Sequence, residues 1–414
     1  MPGESSIGTD PVDTDQLLDL GRRGGLAAVG VTPAQVLEPA FSVLQLRKQA
    51  GLAGEMQFTY RNPARSCDPT RMLPGARSII AAAWAYGHWR PAGSESGTES
   101  AVAAVARYAW HDHYDDLRQA LKPMADQLID SGHRALIVAD TNALVDRNVA
   151  WSAGLGWYGK NSNLLLPEAG SWYVLGAIVT DAELQPTGPP MEDGCGSCNQ
   201  CIDDCPTAAI IAPGMVDATR CLAWIVQAGG SIPVEYREAI GDRLYGCDDC
   251  QDVCPPNRSA DRSRHNSDAA SNSEPSSSEA SNSEAAGSSV AVAEQPVAEV
   301  DQVFVDLDWI LTAEDHEIEA RHGRWYIADR NIDVIRRTAL VVLGNVGTPQ
   351  TPRIERLLMM YLNSEVAILR EHAIWAALRL GRPDLVDSPG DGLEVSKANT
   401  AVSARFSSAD WAEQ

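Results

Sequence analysis

The chain has 414 residues, 44% of them apolar, enough for two or three domains with cores of their own. A formal net charge of −23 excludes a surface that binds polyanions everywhere, because like charge repels phosphate across a Debye length, but it leaves room for a local basic patch. The start, Met1-Pro2-Gly3-Glu4-Ser5, lacks the basic and apolar regions of an export signal, and the longest apolar run, Ile79 to Tyr86, is too short for a bilayer, so no membrane partner and a cytoplasmic location with reduced thiols are expected.

In chain order, periodicity predicts a helix over 16–26 and a buried strand over 78–83. A helix over 115–131 follows, with Leu117, Leu121, Met124 and Leu128 on one face, then buried strands over 135–139 and 172–179. Such alternation suggests an α/β domain, assigned to residues 1–190. Cys67, alone in a loop-like Arg61-Asn62-Pro63-Ala64-Arg65-Ser66-Cys67-Asp68-Pro69 stretch, reads as an ordinary thiol.

Residues 191–257 carry the other eight of the nine cysteines, as Cys195-x2-Cys198-x2-Cys201-x3-Cys205-Pro206, a lone Cys221, and Cys247-x2-Cys250-x3-Cys254-Pro255. Thiolates at this spacing, ending in Cys-Pro, are the ligands of paired [4Fe-4S] clusters in a ferredoxin-like domain, where three sulfurs on one loop serve one cluster and the fourth serves its neighbour. Cys195, Cys198, Cys201 and Cys254 are then one set, and Cys205, Cys247 and Cys250 most of the other. A symmetric arrangement would have a cysteine where Leu244 stands, so Cys221 is taken as the eighth ligand. Zinc knuckles seldom overlap three C-x2-C pairs before Cys-Pro, and disulfide frameworks belong to small secreted domains.

From 258 to about 300 the chain is rich in Ser, Asn, Ala and Glu, too poor in apolar surface to offset the entropy of ordering, and a disordered linker is expected. Helical periodicity returns over 301–390: Ile335, Ala339, Val342 and Leu343 share a face, as do Leu357, Leu358, Tyr361 and Leu362, and Ala373, Ile374, Ala377 and Leu378. Gly344-Asn345-Val346-Gly347 reads as a gap between helices, and Leu369 to Leu378 resembles the second helix of a HEAT repeat. Residues 391–414 read as a polar tail. Ten arginines against five acids between Arg321 and Arg382 make this the one stretch whose sign favours nucleic acid, although a solvated helix face reads as well from charge alone.

The deciding segment precedes the cysteines: Val138-Ala139-Asp140-Thr141-Asn142-Ala143-Leu144-Val145-Asp146-Arg147, then Gly154-Leu155-Gly156-Trp157-Tyr158-Gly159-Lys160-Asn161-Ser162-Asn163-Leu164 and Gly170-Ser171-Trp172. With Leu73-Pro74-Gly75-Ala76-Arg77-Ser78, Arg107-Tyr108-Ala109, Leu343-Gly344-Asn345 and the run Tyr245 to Pro255, this resembles the epoxyqueuosine reductase family over nearly the whole chain. The resemblance implies an α/β cobalamin-binding domain, a double-cluster domain and C-terminal helical repeats. It implies reduction of epoxyqueuosine to queuosine at the wobble position of tRNA, with two [4Fe-4S] clusters reducing a bound cobalamin; the sequence has no Asp-x-His-x-x-Gly segment to supply a histidine to cobalt, so a base-off form without a protein histidine ligand is expected.

By motif position Asp140 is the implied proton donor, and Arg61, Tyr114, Lys160, Asn161, Ser162 and Leu164 are implied cofactor contacts beside it. Gly154, Gly156 and Gly159 either let backbone amides approach the corrin or build a tight turn. Arg336, Arg337, Arg353, Arg356 and Arg370 are candidates to grip the phosphates of the anticodon stem-loop, and a flavodoxin- or ferredoxin-like protein is the expected electron donor to a monomeric enzyme. The chain departs from the family pattern at His113-Tyr114-Asp115, Leu222 to Ala228, Asp146 and Thr338. The rival readings are a cobalamin-dependent reductase of another electrophile, as in reductive dehalogenases, and a plain iron–sulfur electron carrier.

Overall fold

Ser78–Ala85 carries small side chains along a buried strand, which lets helical layers approach both faces of the sheet it belongs to. A computed structural model describes residues 11–86, 101–262 and 303–387. Most of the expected linker and the whole expected tail lie outside these residues. The sheet runs Ala28–Pro33, Ser78–Ala85, Tyr173–Thr180, Ala135–Ala139 in spatial order. Every pairing is antiparallel, with Ile80 opposite Ile178 and Val138 opposite Ala177. The expected alternation of helix and strand is present, but alternation does not set pairing direction, and this ladder is antiparallel throughout.

One face of the sheet is covered by the helix His113–Asp130, which begins two residues before its expected start because the Asp112 side chain caps it by accepting from the Asp115 N–H. Leu117, Leu121, Met124 and Leu128 are buried along it, as their spacing required. Gly176 lies under this helix: a Cβ there would come within 2.9 Å of the Leu117 side chain. Against the other face packs the short helix Asp146–Ser152, with Val149 and Ala150 fully buried. The edge strand Ala28–Pro33 was not expected from the sequence.

The chain does not divide in the linear order its motifs suggested. Residues 11–86, 112–217 and 249–262 belong to one compact unit, and 101–111, 218–248 and 303–387 to a second. The cysteine-rich stretch is therefore shared, because its apolar residues join different cores. Leu222, Ile225, Val226, Ile232, Ile240 and Leu244 pack in the second unit's core.

That second unit holds a small sheet in which Val102–Val105 pairs in parallel with Arg243–Tyr245 and antiparallel with Phe304–Asp306. Around it stand the helices Asp333–Val346, Pro352–Leu362 and Ala367–Arg379, whose expected inward faces are buried except for the half-buried Leu378. The expected gap at Gly344 is instead helix. A Cβ at Gly344 would meet the Ala376 backbone at 2.9 Å and the Trp375 ring at 2.8 Å, so the glycine serves close packing of two helices and the helix continues to Val346.

His322 is 5% exposed and stacks on Trp325 at 4.0 Å, and neither ring nitrogen has a hydrogen-bond partner among the described residues. Burial, with Arg321 and Arg324 nearby, pushes its pKa down to about 3 from 6.5. A histidine whose folded pKa is depressed contributes stability above its unfolded pKa, and that contribution is lost as pH falls. The urea midpoint of the wild type should therefore drop between pH 6.5 and pH 3 more steeply than that of His322→Phe, measured at matched ionic strength.

Candidate cluster and active site

All nine cysteines are free thiols, eight of them partly exposed and Cys67 buried. The Asp193 carboxylate accepts from the Cys195 N–H at 2.9 Å and fixes the start of the Cys195–Cys201 loop. Cys254 follows the short helix Asp249–Asp252 and lies beside that loop. Its thiol is pushed up to about 11, first by burial and then by repulsion from Cys195, Cys201 and Cys198. Cys201 is raised likewise, by burial and then by Cys195 and Cys198. The four thiols that the motif assigns to one cluster thus form one electrostatic group, as a cubane with a ligand on each iron requires. Among the described residues, no three His, Cys, Asp or Glu side chains converge as ligands of a single ion would.

Of the other four cysteines, Cys205 and Cys250 lie in the first unit, and Cys221 and Cys247 in the second. The Ala209 N–H donates to the Cys205 sulfur at 3.3 Å. Iron content discriminates ligand from bystander. Cys254→Ser should lower anaerobically reconstituted iron from about eight to about four per chain, whereas Cys67→Ala should leave it unchanged at a stability cost on the order of 1 kcal/mol for one buried group.

Asp140 follows the strand Ala135–Ala139 directly and holds a φ of 54°, a left-handed conformation that costs an aspartate little and turns the chain sharply out of the sheet. Its side chain is open to solvent, yet surrounding protein raises its pKa by desolvation, Asp112 adds to the rise, and Arg118 opposes it. Asp140 thus has an accessible side chain in surroundings that disfavour its charge.

Other titrating groups lie within electrostatic reach of it or of one another. Asp146, first residue of its helix, is raised by burial against the pull of Arg147. Burial raises the Tyr114 phenol far above its ordinary range, with further contributions from Asp146 and Asp140. Tyr158 is pushed up to about 12, mainly by burial, and hydrogen-bonds Asn148. Of this group Asp140 and Tyr114 are expected site residues from the sequence, and Asp146 is a departure from the family pattern. Arg118, Arg147 and Tyr158 are not singled out by the sequence, and their signal lies only in their places within or near the matched segments.

The remaining expected cofactor contacts are partly committed elsewhere. Lys160 Nζ donates to the Gly196 carbonyl and the Asn199 Oδ1, both at 2.8 Å, and Asn161 Nδ2 donates to the Cys250 carbonyl at 3.1 Å. These side chains brace the cysteine loops. Ser162 Oγ donates to the Gly214 carbonyl at 2.8 Å, while the Ser162 carbonyl accepts from Arg147 at 3.3 Å. Leu164 is buried in a two-stranded ladder opposite Tyr158, and Arg61 is exposed at the end of the helix Phe58–Arg61.

Two of the glycines stand where a side chain has no room. A Cβ at Gly156 would fall 2.1 Å from the Leu165 carbonyl, and one at Gly159 would fall 2.3 Å from the Leu165 side chain. A cleft of about 460 Å³ lined by Val29, Gly154, Leu155, Thr187 and Met191 includes Gly154 among the candidate positions and has no titratable side chain.

Among the candidate RNA contacts, Arg337 is overturned: it is 1% exposed and donates to the carbonyls of Ile225, Val226, Ala228 and Gly230, so it cannot meet a phosphate. Arg336 is mostly buried against Asp315 at 2.5 Å, and Arg353 pairs with Asp308 at 2.9 Å. Arg356, 70% exposed, reaches Asp308 at 3.6 Å, and Arg370 donates to the Ser364 carbonyl.

A family model described as "4Fe-4S double cluster binding domain" matches residues 194–257, and one described as "Epoxyqueuosine reductase QueG, DUF1730" matches residues 66–146. The epoxyqueuosine reductase of Vibrio cholerae is 38% identical over 57% of this chain and 64% of its own length. That of Pseudomonas aeruginosa is 36% identical over 61% of this chain and 71% of its own. A crystal structure of an epoxyqueuosine reductase with an epoxyqueuosine-modified tRNA-Tyr stem loop matches with a TM-score of 0.77 at 26% identity, over 94% of this chain and 97% of that one. The matched stretch spans 63–64% of the length of the first curated relatives.

Proposed function

The chain belongs to the epoxyqueuosine reductase family, and on that premise we propose that it reduces epoxyqueuosine to queuosine at the wobble position of tRNA. The observation that carries the reading is the raised carboxyl of Asp140, held at a strand end in the same unit as the four clustered thiols. Removing an epoxide oxygen as water consumes two electrons and two protons. A bare oxide is a poor leaving group, so an acid must meet the oxygen as its bond to carbon breaks.

Asp140 suits that task because desolvation keeps a larger share of it protonated than a free carboxyl would have. Asp146 and Tyr114 bring to it groups that resist ionisation, and Arg118 and Arg147 bring positive charge to the same cluster of side chains. These hydroxyl, carboxyl and guanidinium groups fit the amide-rich rim of a corrin, with Tyr114, Asp140 and Ser162 as the holding residues. Cobalamin, when bound there, supplies a low-potential cobalt centre for the electron transfer. The eight cysteines, grouped as the motif groups them, hold two [4Fe-4S] clusters that deliver electrons singly.

The working assignment is a monomeric cytoplasmic enzyme supplied by a flavodoxin- or ferredoxin-like donor and acting on the anticodon stem-loop through a flipped-out base. No helix among the described residues is long and apolar enough to cross a membrane. The terminal helices are read as HEAT-like, with Arg353, Arg356 and Arg370 facing RNA. The test is an anaerobic assay of the cobalamin-loaded protein on epoxyqueuosine-containing tRNA with a low-potential reductant, read by nucleoside mass spectrometry. Queuosine should accumulate. A protein that binds cobalamin and holds its irons yet leaves this tRNA unchanged has another electrophile as substrate.

A further inference from the structure

Lys160 carries a positive charge that no carboxylate neutralises among the described residues: its Nζ donates to two neutral oxygens, the Gly196 carbonyl and the Asn199 Oδ1, both at 2.8 Å. Gly196 follows Cys195 and Asn199 follows Cys198, so the ammonium ties together the two gaps that separate the three cysteines of this loop. The root of the side chain is fixed as well. Trp157–Tyr158 pairs with Leu164–Leu165, and the Gly159 N–H closes the turn between them on the Asn163 carbonyl at 2.8 Å. At the tip of that hairpin the Lys160 carbonyl accepts from the Gly214 N–H at 2.9 Å, while Asn161 and Ser162 donate to the carbonyls of Cys250 and Gly214. A long, flexible stem is thus held at both ends, and the charge has one place to be.

We propose that Lys160 is a positioning residue for the iron–sulfur centre of Cys195, Cys198, Cys201 and Cys254, a fixed positive charge on its cysteine loop that raises the reduction potential of that centre. The inference rests on the cluster reading above. Four thiolates around a cubane make a dianion, and taking up an electron makes it a trianion. A cation fixed on the ligand loop favours the more negative state, and most strongly where no carboxylate cancels it. The two oxygens satisfy the donors of the ammonium without neutralising it, which leaves the centre as the anion it serves. On this assignment Lys160 belongs to the cluster and not to the corrin.

The experiment is potentiometry followed by electron paramagnetic resonance on the full chain, reconstituted anaerobically without cobalamin or tRNA. The signal lost in Cys254→Ser identifies the centre in question. Lys160→Gln, which keeps a donor and removes the charge, should hold about eight irons and move the midpoint of that centre to more negative values while the other stays in place. At the wild-type midpoint its oxidised-to-reduced ratio should rise roughly tenfold, about 59 mV for a one-electron couple. Lys160→Arg restores the charge and should return the midpoint close to that of wild type.

If the glutamine variant loses the centre, Lys160→Arg decides: full iron and a midpoint near wild type support the proposal, and loss of the same irons overturns it. An unchanged midpoint in Lys160→Gln, or equal shifts in both centres, also overturns it. So does an unchanged midpoint with weakened cobalamin binding, titrated by absorbance, which makes Lys160 a corrin contact. Wild-type protein without two cluster signals overturns the cluster reading instead, and that outcome is visible before any variant is made.

Discussion

Asp140→Asn should lower kcat on epoxyqueuosine-containing tRNA by about 10²–10⁴-fold, the usual worth of a positioned general acid, while iron content and the absorption spectrum of bound cobalamin stay at wild-type values. The amide keeps the size and much of the hydrogen bonding of the acid but has no proton to give. The pH profile supplies a second readout. Desolvation raises the Asp140 pKa, and the working form of an acid is the protonated one, so wild-type activity should fall as pH rises through that raised value. The residual activity of the variant should lack this limb.

Stability moves the opposite way. A carboxyl with a raised folded pKa favours the fold most when protonated and loses that advantage as pH rises through the folded value. At neutral pH the ionised Asp140 is thus a burden on the fold, and the asparagine variant should be the more stable protein there, with the difference closing in acid. A variant that loses both activity and stability at neutral pH would make Asp140 a structural turn residue, the role its position after a strand otherwise suggests.

Cysteine spacing proved the most legible feature of the sequence, because a cluster ligand set is written in the chain with few alternatives. Cys254, more than fifty residues beyond Cys195, was paired with it by counting alone, and the structure places their thiols within electrostatic reach. The buried strands and the long helix were legible from apolar runs and from the Leu117, Leu121, Met124, Leu128 spacing.

Less visible was what tertiary contact decides. Ala28–Pro33 is half alanine, glycine and proline, with weak strand propensity of its own, and it is a strand because Ser78–Ala85 offers it a partner. Gly344 looked like a helix end and is a contact between helices. The split of the double-cluster stretch between two cores was hidden because motif continuity and packing continuity are different properties. Around Asp140, Tyr158 and Arg147 could not be ranked from sequence, since what singles them out is their place in one electrostatic cluster.

Arg337→Met should destabilise the protein by about 3 kcal/mol, read as a lower urea midpoint with an unchanged slope. Two effects oppose each other at this position. Burial lowers the guanidinium pKa to about 10, with Arg237 adding repulsion, so the charge is costly to hold and an apolar replacement relieves that cost. Against this, the side chain donates to four carbonyls of one connecting segment: Ile225 at 3.0 Å, Val226 at 3.4 Å, Ala228 at 2.9 Å, and Gly230. Each carbonyl left buried without a donor costs about 1–3 kcal/mol, so the loss outweighs the relief.

Arg337→Lys should recover little, because an ammonium cannot fork across carbonyls the way a planar guanidinium does. Arg356→Ala, at a side chain 70% exposed, should change stability by less than about 0.5 kcal/mol but lower the salt dependence of tRNA binding by about one ion. If instead Arg337→Met binds tRNA weakly while its urea midpoint matches wild type, the buried arginine reaches the RNA in a state of the protein other than the one described.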